Sequence, residues 1–280
     1  MIINLSTCIL SNVAIFIILL LLFIVGIISI YFFAKRKDAE SIKVFCSDIK
    51  KYISYKKSDE VAPFLLTTDL NVTLHNCKNL GKLPMPPGYN IAIPLVSDIK
   101  TVGYFFYSTT KKTGLISFTG TFFFGQWEID FQSYQIPAVK LNHYEKGINV
   151  HAGFYELYIS IRGQLLDAMK RFAPTKVFIS GHSLGGALAT ICGYDLQSYS
   201  PKIYTFAAPR SGNLKFSESD YLKHNTFRVF NTEDVVPDIP LAVFGKYLYQ
   251  HVGTNVPFTD NLGTLAKNHI DAYKIHYDLS

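Results

Sequence analysis

The sequence predicts an α/β fold with a mostly parallel central sheet, preceded by one transmembrane helix. Within residues 176–196, a short buried strand runs into a glycine-rich turn and then into a helix. Two further apolar strand patterns, at 203–206 and 227–230, follow that helix with a helical stretch between them, as in parallel sheets. Residues 1–34 carry no charged side chain, which separates them from the globular part.

The amino-terminal run from Ile9 to Ala34 is almost continuously apolar and ends at Lys35–Arg36–Lys37. About 20 apolar residues cross a bilayer as a helix, so residues 1–37 are predicted to form a membrane anchor with a basic flank. A cleaved signal peptide is the alternative, but the positive n-region is missing and the apolar core is too long. Basic residues after the run predict that the rest of the chain lies in the cytosol. With one predicted membrane helix, the chain is expected to be a single-pass membrane protein.

Composition restricts the partners and cofactors of the remaining chain. Residues 38–100 are interpreted as a stalk and a helix and loop region, and residues 101–280 as the catalytic core. The net charge of +6 suits an anionic membrane surface, whereas no basic block with interleaved aromatic residues indicates nucleic-acid binding. The four cysteines form no CxxC motif, so no metal site and no disulfide framework is expected.

The turn after the first buried strand carries Gly181–His182–Ser183–Leu184–Gly185. In the order strand, sharp turn, helix, this Gly-x-Ser-x-Gly pattern holds a serine in a strained conformation that exposes its hydroxyl. The residues two before and two after the serine must be very small, and Gly181, Gly185 and Gly186 satisfy that requirement. The helix that follows directs its positive end at an oxyanion formed there. Ser183 is therefore the candidate nucleophile.

An oxyanion formed at Ser183 needs a second amide donor, from the end of a neighbouring strand. The segments Val102–Tyr107 and Leu115–Phe118 are predicted to form a hairpin that leads into Thr119–Gly120–Thr121. Thr121 is placed to supply its backbone N–H, although a simple strand-end turn fits the same residues. The aromatic residues that follow are interpreted either as a lid over an acyl groove or as core packing at a strand edge; they are Phe122, Phe123, Phe124 and Trp127.

The acid and the base of such a site follow the serine in the chain. Asp234 comes after the strand at 227–230 and is the preferred carboxylate, with Glu233 and Asp238 as alternatives. The histidine candidates after that point are His251, His269 and His276. His251 lies in an alternating pattern, Tyr247–Val252, that predicts a strand with the histidine buried in the sheet. His269 is predicted to open a terminal helix after the loop 260–268, and position favours it. His151 precedes Ser183 and is interpreted as a structural residue.

Several ordered motifs resemble the class 3, fungal-type lipase family of the α/β-hydrolase superfamily. They are Ile116–Thr121 with Trp127, Val150–Phe154, Gly181–Ala187, Tyr204–Asn213, Asn231–Pro240, Gln250–Gly253, and His269 with Tyr273. The resemblance covers about Val102 to Leu279. It implies a triad of Ser183, Asp234 and His269, an oxyanion hole formed by the amides of Thr121 and Leu184, a non-catalytic His251, and Trp127 in the lid region. It also implies that no cofactor is needed.

Two features depart from the family pattern: Thr119 stands where the family usually has Arg, and the segment from Asp234 to His269 is short. The expected function is hydrolysis of acylglycerol esters in a lipid substrate at a membrane or droplet surface. Glycerophospholipids cleaved at one acyl position are the second substrate class. A soluble-ester esterase and a membrane-tethered binding protein without turnover are the rival interpretations.

Overall fold

A seven-stranded sheet forms the centre of the structure, a computed structural model in which residues 85–97, 100–120 and 134–277 are described. The strand order is β1-β2-β3-β6-β7-β8-β11. The strands β1 and β2 are antiparallel to their neighbours, and all other pairs are parallel, which confirms the predicted α/β fold with a mostly parallel sheet. The strands of this sheet are β1 Ile91–Ser97, β2 Lys100–Ser108, β3 Thr113–Phe118, β6 Lys176–His182, β7 Lys202–Phe206, β8 Thr226–Asn231 and β11 Thr254–Phe258.

Two short antiparallel pairs lie outside the main sheet. One joins β4 Gln135–Pro137 to β5 Asn149–His151, and the other joins β9 Val243–Phe244 to β10 Tyr247–Leu248. The helices are α1 Ala152–Phe172, α2 Leu184–Asp195, α3 Leu214–Ser217, α4 Asp220–Asn225 and α5 Ala272–His276, with a π-helical turn, Lys267–Asp271, directly before α5. Single 3₁₀ turns occur at Gln197–Tyr199 and Val236–Asp238.

The strands nearest the serine turn are buried over most of their length because helices cover them. All six residues of β3 are buried, and so are six of the seven residues of β6. Every residue of α2 is buried as well. The carboxylate of Asp195, at the end of α2, accepts hydrogen bonds from Tyr158 Oη and from Arg162 Nε of α1, both at 2.7 Å. These bonds fix the two long helices to each other beside the sheet.

The helix α1 begins at Ala152 because the preceding residue, His151, caps it. The side chain of His151 accepts a hydrogen bond from the N–H of Phe154 at 3.4 Å and so caps the first turn. Burial lowers the pKa of His151 to about 4, so this acceptor stays neutral at physiological pH. His151 is structural, as predicted.

The predicted strand over Tyr247–Val252 is wrong. Only Tyr247 and Leu248 form a strand, which pairs with the short β9 in a small hairpin outside the main sheet, and Gln250 makes an isolated bridge to Gly212. His251 follows that hairpin outside any strand and is half-buried. The strand that completes the sheet is β11, which carries Pro257; a proline is tolerated there because β11 lies at the edge.

The predicted anchor, residues 1–37, lies outside the described residues, as does the stalk up to residue 84. Among the residues that the structure describes, no helix is long and apolar enough to cross a membrane. The sheet begins at Ile91, ahead of residue 101, where the catalytic core is predicted to start.

Candidate active site

Ser183 occupies the turn between β6 and α2 with a left-handed backbone, φ 59° and ψ −127°. This conformation is strained for a residue with a side chain, and it agrees with the turn that the motif predicts. The N–H of Ser183 donates to the carbonyl oxygen of Phe206 in β7 at 2.8 Å, which ties the turn to the neighbouring strand. Leu184 is the first residue of α2, so its N–H has no acceptor within the helix and is available to a ligand.

The glycines around Ser183 are required by close backbone contacts. A Cβ on Gly181 would lie 2.2 Å from the carbonyl oxygen of Gly185. A Cβ on Gly185 would lie 2.5 Å from the carbonyl oxygen of Phe118, and one on Gly186 would lie 2.6 Å from the Cβ of Ala208. The turn is therefore packed against the ends of β3 and β7 with no room for a methyl group, as predicted for this motif.

Asp234 and His269 form a buried hydrogen-bonded pair at the same edge of the sheet. Asp234 follows the carboxyl end of β8, and its Oδ2 lies 2.8 Å from Nδ1 of His269. The other carboxylate oxygen, Oδ1, accepts the N–H of Val236 at 3.0 Å. A histidine held in this way presents its Nε2 away from the carboxylate, in the tautomer that accepts a proton.

Tyr273 is part of this arrangement and was not assigned a role from the sequence. Its hydroxyl donates to Oδ2 of Asp234 at 2.9 Å and accepts the N–H of Asn231 at 2.9 Å. Burial, followed by the nearby Asp234 carboxylate, raises the pKa of Tyr273 well above its usual value, so the phenol stays protonated and remains a donor. The spacing of four residues from His269, one helical turn, is the signal that places both side chains on one face.

His182 links the serine turn to His269. Its Nε2 donates to the carbonyl oxygen of His269 at 2.8 Å, and the two imidazole centroids are 4.7 Å apart. Burial lowers the pKa of His182 well below its usual value, and the neighbouring His269 lowers it further. His182 therefore stays neutral. Because His182 directly precedes Ser183, its hydrogen bond connects the serine turn to the backbone of His269.

His269 lies within a helical turn and not at the start of a helix, so that part of the prediction is wrong. The helix begins at Leu265, and His269 occupies the π-helical turn Lys267–Asp271. Thr264 explains the earlier start, because its hydroxyl oxygen accepts the N–H of Lys267 at 3.3 Å and caps the first turn. The side chain of Asn268 accepts the N–H of Leu262 at 2.7 Å and donates to the carbonyl oxygen of Glu233 at 3.1 Å. These bonds tie the helix to the loop that carries Asp234.

The alternative acids and bases lie elsewhere. Glu233 is exposed and accepts a hydrogen bond from Asn261 at 3.2 Å, while Asp238 lies 3.5 Å from Nη2 of Arg210. His251 bonds to the backbone of Pro237, and its pKa is lowered well below the usual value by burial and then by Arg228 and Arg210. His276 stacks on Phe258, with centroids 4.1 Å apart.

The oxyanion side is described only as far as Gly120. A Cβ on Gly120 would lie 3.1 Å from the carbonyl oxygen of His182 and 3.6 Å from the Cβ of Ser183, so this strand end lies against the serine turn. Thr119, which stands where the resembled family usually has Arg, anchors it through its N–H and hydroxyl to the carbonyl oxygen of Val102 at 2.8 and 3.0 Å. Thr121 and the predicted lid residues lie outside the described residues: Phe122, Phe123, Phe124 and Trp127.

Comparison with known proteins finds lipases that are similar to this chain. Residues 115–244 match the family model for lipase (class 3). The lipase of Rhizomucor miehei is 32% identical over 168 residues, covering 54% of this chain and 43% of the relative. The secreted mono- and diacylglycerol lipase A of Penicillium cyclopium is 26% identical and covers 71% and 64%. Phospholipase A1-Igamma2 of Arabidopsis thaliana is 27% identical and covers 58% and 40%.

Solved structures show the same likeness. The Rhizomucor miehei lipase in its propeptide complex superimposes with a TM-score of 0.56 at 25% identity, covering 71% of this chain and 68% of that one. The chain thus spans 40% to 64% of the length of the three relatives named above. Residues 115–244 are therefore similar to class 3 lipases, and the fold is similar to that of the Rhizomucor miehei lipase.

Proposed function

We propose that the chain is a serine carboxylic-ester hydrolase that cleaves acylglycerol lipids through Ser183, Asp234 and His269. The observation that carries the proposal is the buried pair of Asp234 and His269, tied through His182 to the strained turn that presents Ser183. A serine hydroxyl is a weak nucleophile until a base takes its proton, and this arrangement supplies the base.

In the first half of the reaction, Nε2 of His269 takes the proton from Oγ of Ser183 as that oxygen attacks the ester carbonyl carbon. Asp234 holds Nδ1–H of the imidazole and stabilises the imidazolium that forms. The oxyanion accepts hydrogen bonds from the N–H groups of Leu184 and, in this proposal, Thr121. Collapse of the tetrahedral intermediate breaks the ester bond, and the leaving alcohol takes the proton from His269.

In the second half, water attacks the acyl-serine. His269 takes one proton from the water and returns it to Oγ of Ser183 as the fatty acid leaves. The buried carboxylate of Asp234 keeps a proton on Nδ1 of His269 throughout. Nε2 of the same imidazole therefore serves as the base and then as the acid. No metal or organic cofactor enters this scheme.

Acylglycerols are the proposed substrate class because a relative named as a mono- and diacylglycerol lipase matches 71% of this chain. Phospholipids cleaved at one acyl position are the second candidate, favoured by the match to a phospholipase A1. The proposed membrane anchor, residues 1–37, and the proposed lid residues would deliver such water-insoluble substrates from the plane of the membrane.

The decisive measurement is labelling of the full chain with a fluorophosphonate probe, which modifies an activated serine. We expect labelling that is lost in Ser183→Ala, and labelling that persists in this variant contradicts the assignment. Lipid-class profiling with Ser183→Ala as the control then identifies the substrate. If the chain hydrolyses no ester of any chain length, that result would favour a binding protein without turnover.

An interface test separates a lipase from a soluble-ester esterase. The rate is measured against substrate concentration across the solubility limit, and only a lipase is expected to accelerate when aggregates form. A rate that follows a simple saturation curve through that limit would favour the esterase.

We also propose that the protein is a single-pass membrane protein with its catalytic domain in the cytosol. The sequence Asn71–Val72–Thr73 is a potential glycosylation acceptor and tests the orientation. We expect no shift in mass on endoglycosidase treatment. A shift that vanishes in Asn71→Gln would place the domain on the other side of the membrane.

A further inference from the structure

The short hairpin of β9 and β10 exposes apolar side chains at the edge of the sheet that carries the proposed active site. Its apolar residues are 46% to 58% exposed, and we name the set the hairpin patch: Leu241, Val243, Phe244 and Leu248. Six of the thirteen exposed large apolar residues in the described ranges lie between Val235 and Leu248. Clustered exposed apolar side chains of this kind are typical of interaction surfaces.

The hairpin is fixed to loops at the carboxyl edge of the sheet, where Ser183 and Asp234 lie. The N–H of Gln250 donates to the carbonyl oxygen of Gly212, in the loop after β7, at 3.1 Å. The side chain of Gln135 donates to the carbonyl oxygen of Leu248 at 2.7 Å. Arg210 donates to the carbonyl oxygen of Pro240 at 2.9 Å. The base of the hairpin is therefore held while its side chains face outward.

The charge of this segment selects the partner. Between residues 239 and 259 the only charged side chain is Lys246, at the tip, and no acidic residue occurs. Gly245, with φ 56°, forms the turn and leaves Lys246 exposed. A cation surrounded by exposed apolar groups matches a bilayer surface, where the lysine contacts anionic headgroups and the apolar groups enter the acyl boundary.

The size of the hairpin also favours lipid over protein. Two paired residues in each strand present far less than the roughly 800 Å² that each partner gives to a specific protein interface. Insertion into the headgroup and acyl boundary needs an apolar depth of only about 5–10 Å. We propose that the hairpin patch docks onto an anionic lipid surface and orients the proposed active site toward the membrane. This docking would serve the proposed hydrolysis of lipids, so it rests on the proposed function.

The direct test places a tryptophan in the hairpin of the full chain and measures its depth. The background carries Ser183→Ala, which prevents turnover, and Trp127→Phe, which removes the only natural tryptophan. Phe244→Trp is the reporter. Tyr199→Trp is the control, because Tyr199 is 39% exposed and follows the far end of α2, at the opposite edge of the sheet. Both proteins carry the same amino-terminal segment, so that segment cannot explain a difference between them.

Each protein is reconstituted into phosphatidylcholine vesicles with brominated acyl chains, with or without phosphatidylglycerol. We expect bromine to quench the tryptophan at 244 and not the one at 199, and more strongly when phosphatidylglycerol is present. Lys246→Glu should remove that additional quenching. Equal quenching at both positions, or none at 244, overturns the proposal. A patch that instead pairs two copies would show concentration-dependent dimers that Phe244→Asp disperses, and that result also overturns it.

A second measurement uses the active enzyme. Leu248→Asp should lower the hydrolysis of vesicle lipid by about tenfold or more, the scale for excluding a large apolar side chain from an apolar phase. Hydrolysis of a soluble short-chain ester should stay unchanged. An equal loss on both substrates would make the hairpin merely structural and overturn the proposal. Quenching requires no turnover, so the two proposals can fail separately. If the chain hydrolyses no ester but the tryptophan at 244 is still quenched, the proposed function is wrong and the docking proposal stands.

Discussion

The two halves of the proposed triad are held in place by different means. Ser183 is positioned by backbone contacts: its own strained dihedrals, the glycines around it and a bond from its N–H to β7. Asp234 and His269 are positioned by side-chain hydrogen bonds from residues distant in sequence, such as Tyr273. Substitutions in the backbone half should therefore damage the fold, and substitutions in the side-chain half should damage the chemistry while the fold survives.

The largest expected effect tests the side-chain half. Asp234→Asn should lower kcat on a soluble ester by roughly 10³- to 10⁴-fold, because an amide stabilises the imidazolium poorly and favours the wrong tautomer of His269. Circular dichroism should show an unchanged fold. Asp238→Asn is the matched control, since Asp238 pairs with Arg210 outside the proposed site, and it should keep most of the activity. Equal losses in the two variants would contradict the choice of acid.

The backbone half is tested by adding one methyl group. Gly181→Ala should lower the free energy of unfolding by about 3 kcal/mol or more, because the new Cβ meets a backbone oxygen that cannot move freely. Gly245→Ala is the control: its φ of 56° is strained for alanine, but nothing lies within 4 Å, so about 1 kcal/mol is expected. Denaturant midpoints measure both. A fully stable Gly181→Ala protein would break the distinction between the halves.

Acid stability separates a histidine of the fold from the proposed histidine of the chemistry. His151 has a folded pKa of about 4 against 6.5, so the unfolded chain binds a proton first and stability falls as the pH drops from about 6.5 toward 4. The loss by pH 5 amounts to about 2 kcal/mol for this group. His151→Asn keeps a capping acceptor and should flatten the dependence. An unchanged slope between pH 7 and 5 would show that His151 does not contribute.

The smallest effect concerns the hydroxyl of Tyr273. Its bond to Asp234 withdraws charge from the oxygen that His269 uses. Tyr273→Phe should make that carboxylate a stronger partner for the imidazole, so the acidic limb of the pH profile of kcat/KM moves to higher pH. The rate at the optimum should fall by about tenfold or less, the scale of one buried hydrogen bond.

Tyr221→Phe is the control for that experiment, because it removes another tyrosine bond, to the carbonyl oxygen of Pro201, away from the site. It should leave the acidic limb in place. If Tyr273→Phe lowers only thermal stability and leaves the limb unmoved, the hydroxyl is structural.

The same contrast explains what the sequence could predict. The serine turn is local, so a strand, a small-residue pattern and a helix within about twenty residues were enough to identify it. The parallel strands at 202–206 and 226–231 were predicted for the same reason, because each is a short local run rich in β-branched and aromatic residues.

The side-chain half depends on contacts that no local pattern encodes. The bonds that join Asp234 to His269 and Tyr273 span 35 and 39 residues. The family resemblance favoured His269 over the other histidines, but the helical segment that holds it is tied to its surroundings by Asn268, whose partners lie in two different loops. The segment 247–252 was predicted to be a strand of the sheet because its side chains follow an alternating pattern, but its only strand residues, 247 and 248, belong to a hairpin outside the main sheet.

The complete burial of α2 has a consequence for heat inactivation. Amide protons in a helix enclosed on every side exchange only when the whole domain opens, whereas the short carboxyl-terminal helix, with an irregular turn and an exposed Ile275, is able to fray alone. Fraying withdraws the imidazole while the serine turn stays intact. On warming, turnover should therefore disappear several degrees below the main calorimetric transition, and rapid cooling should restore it in full.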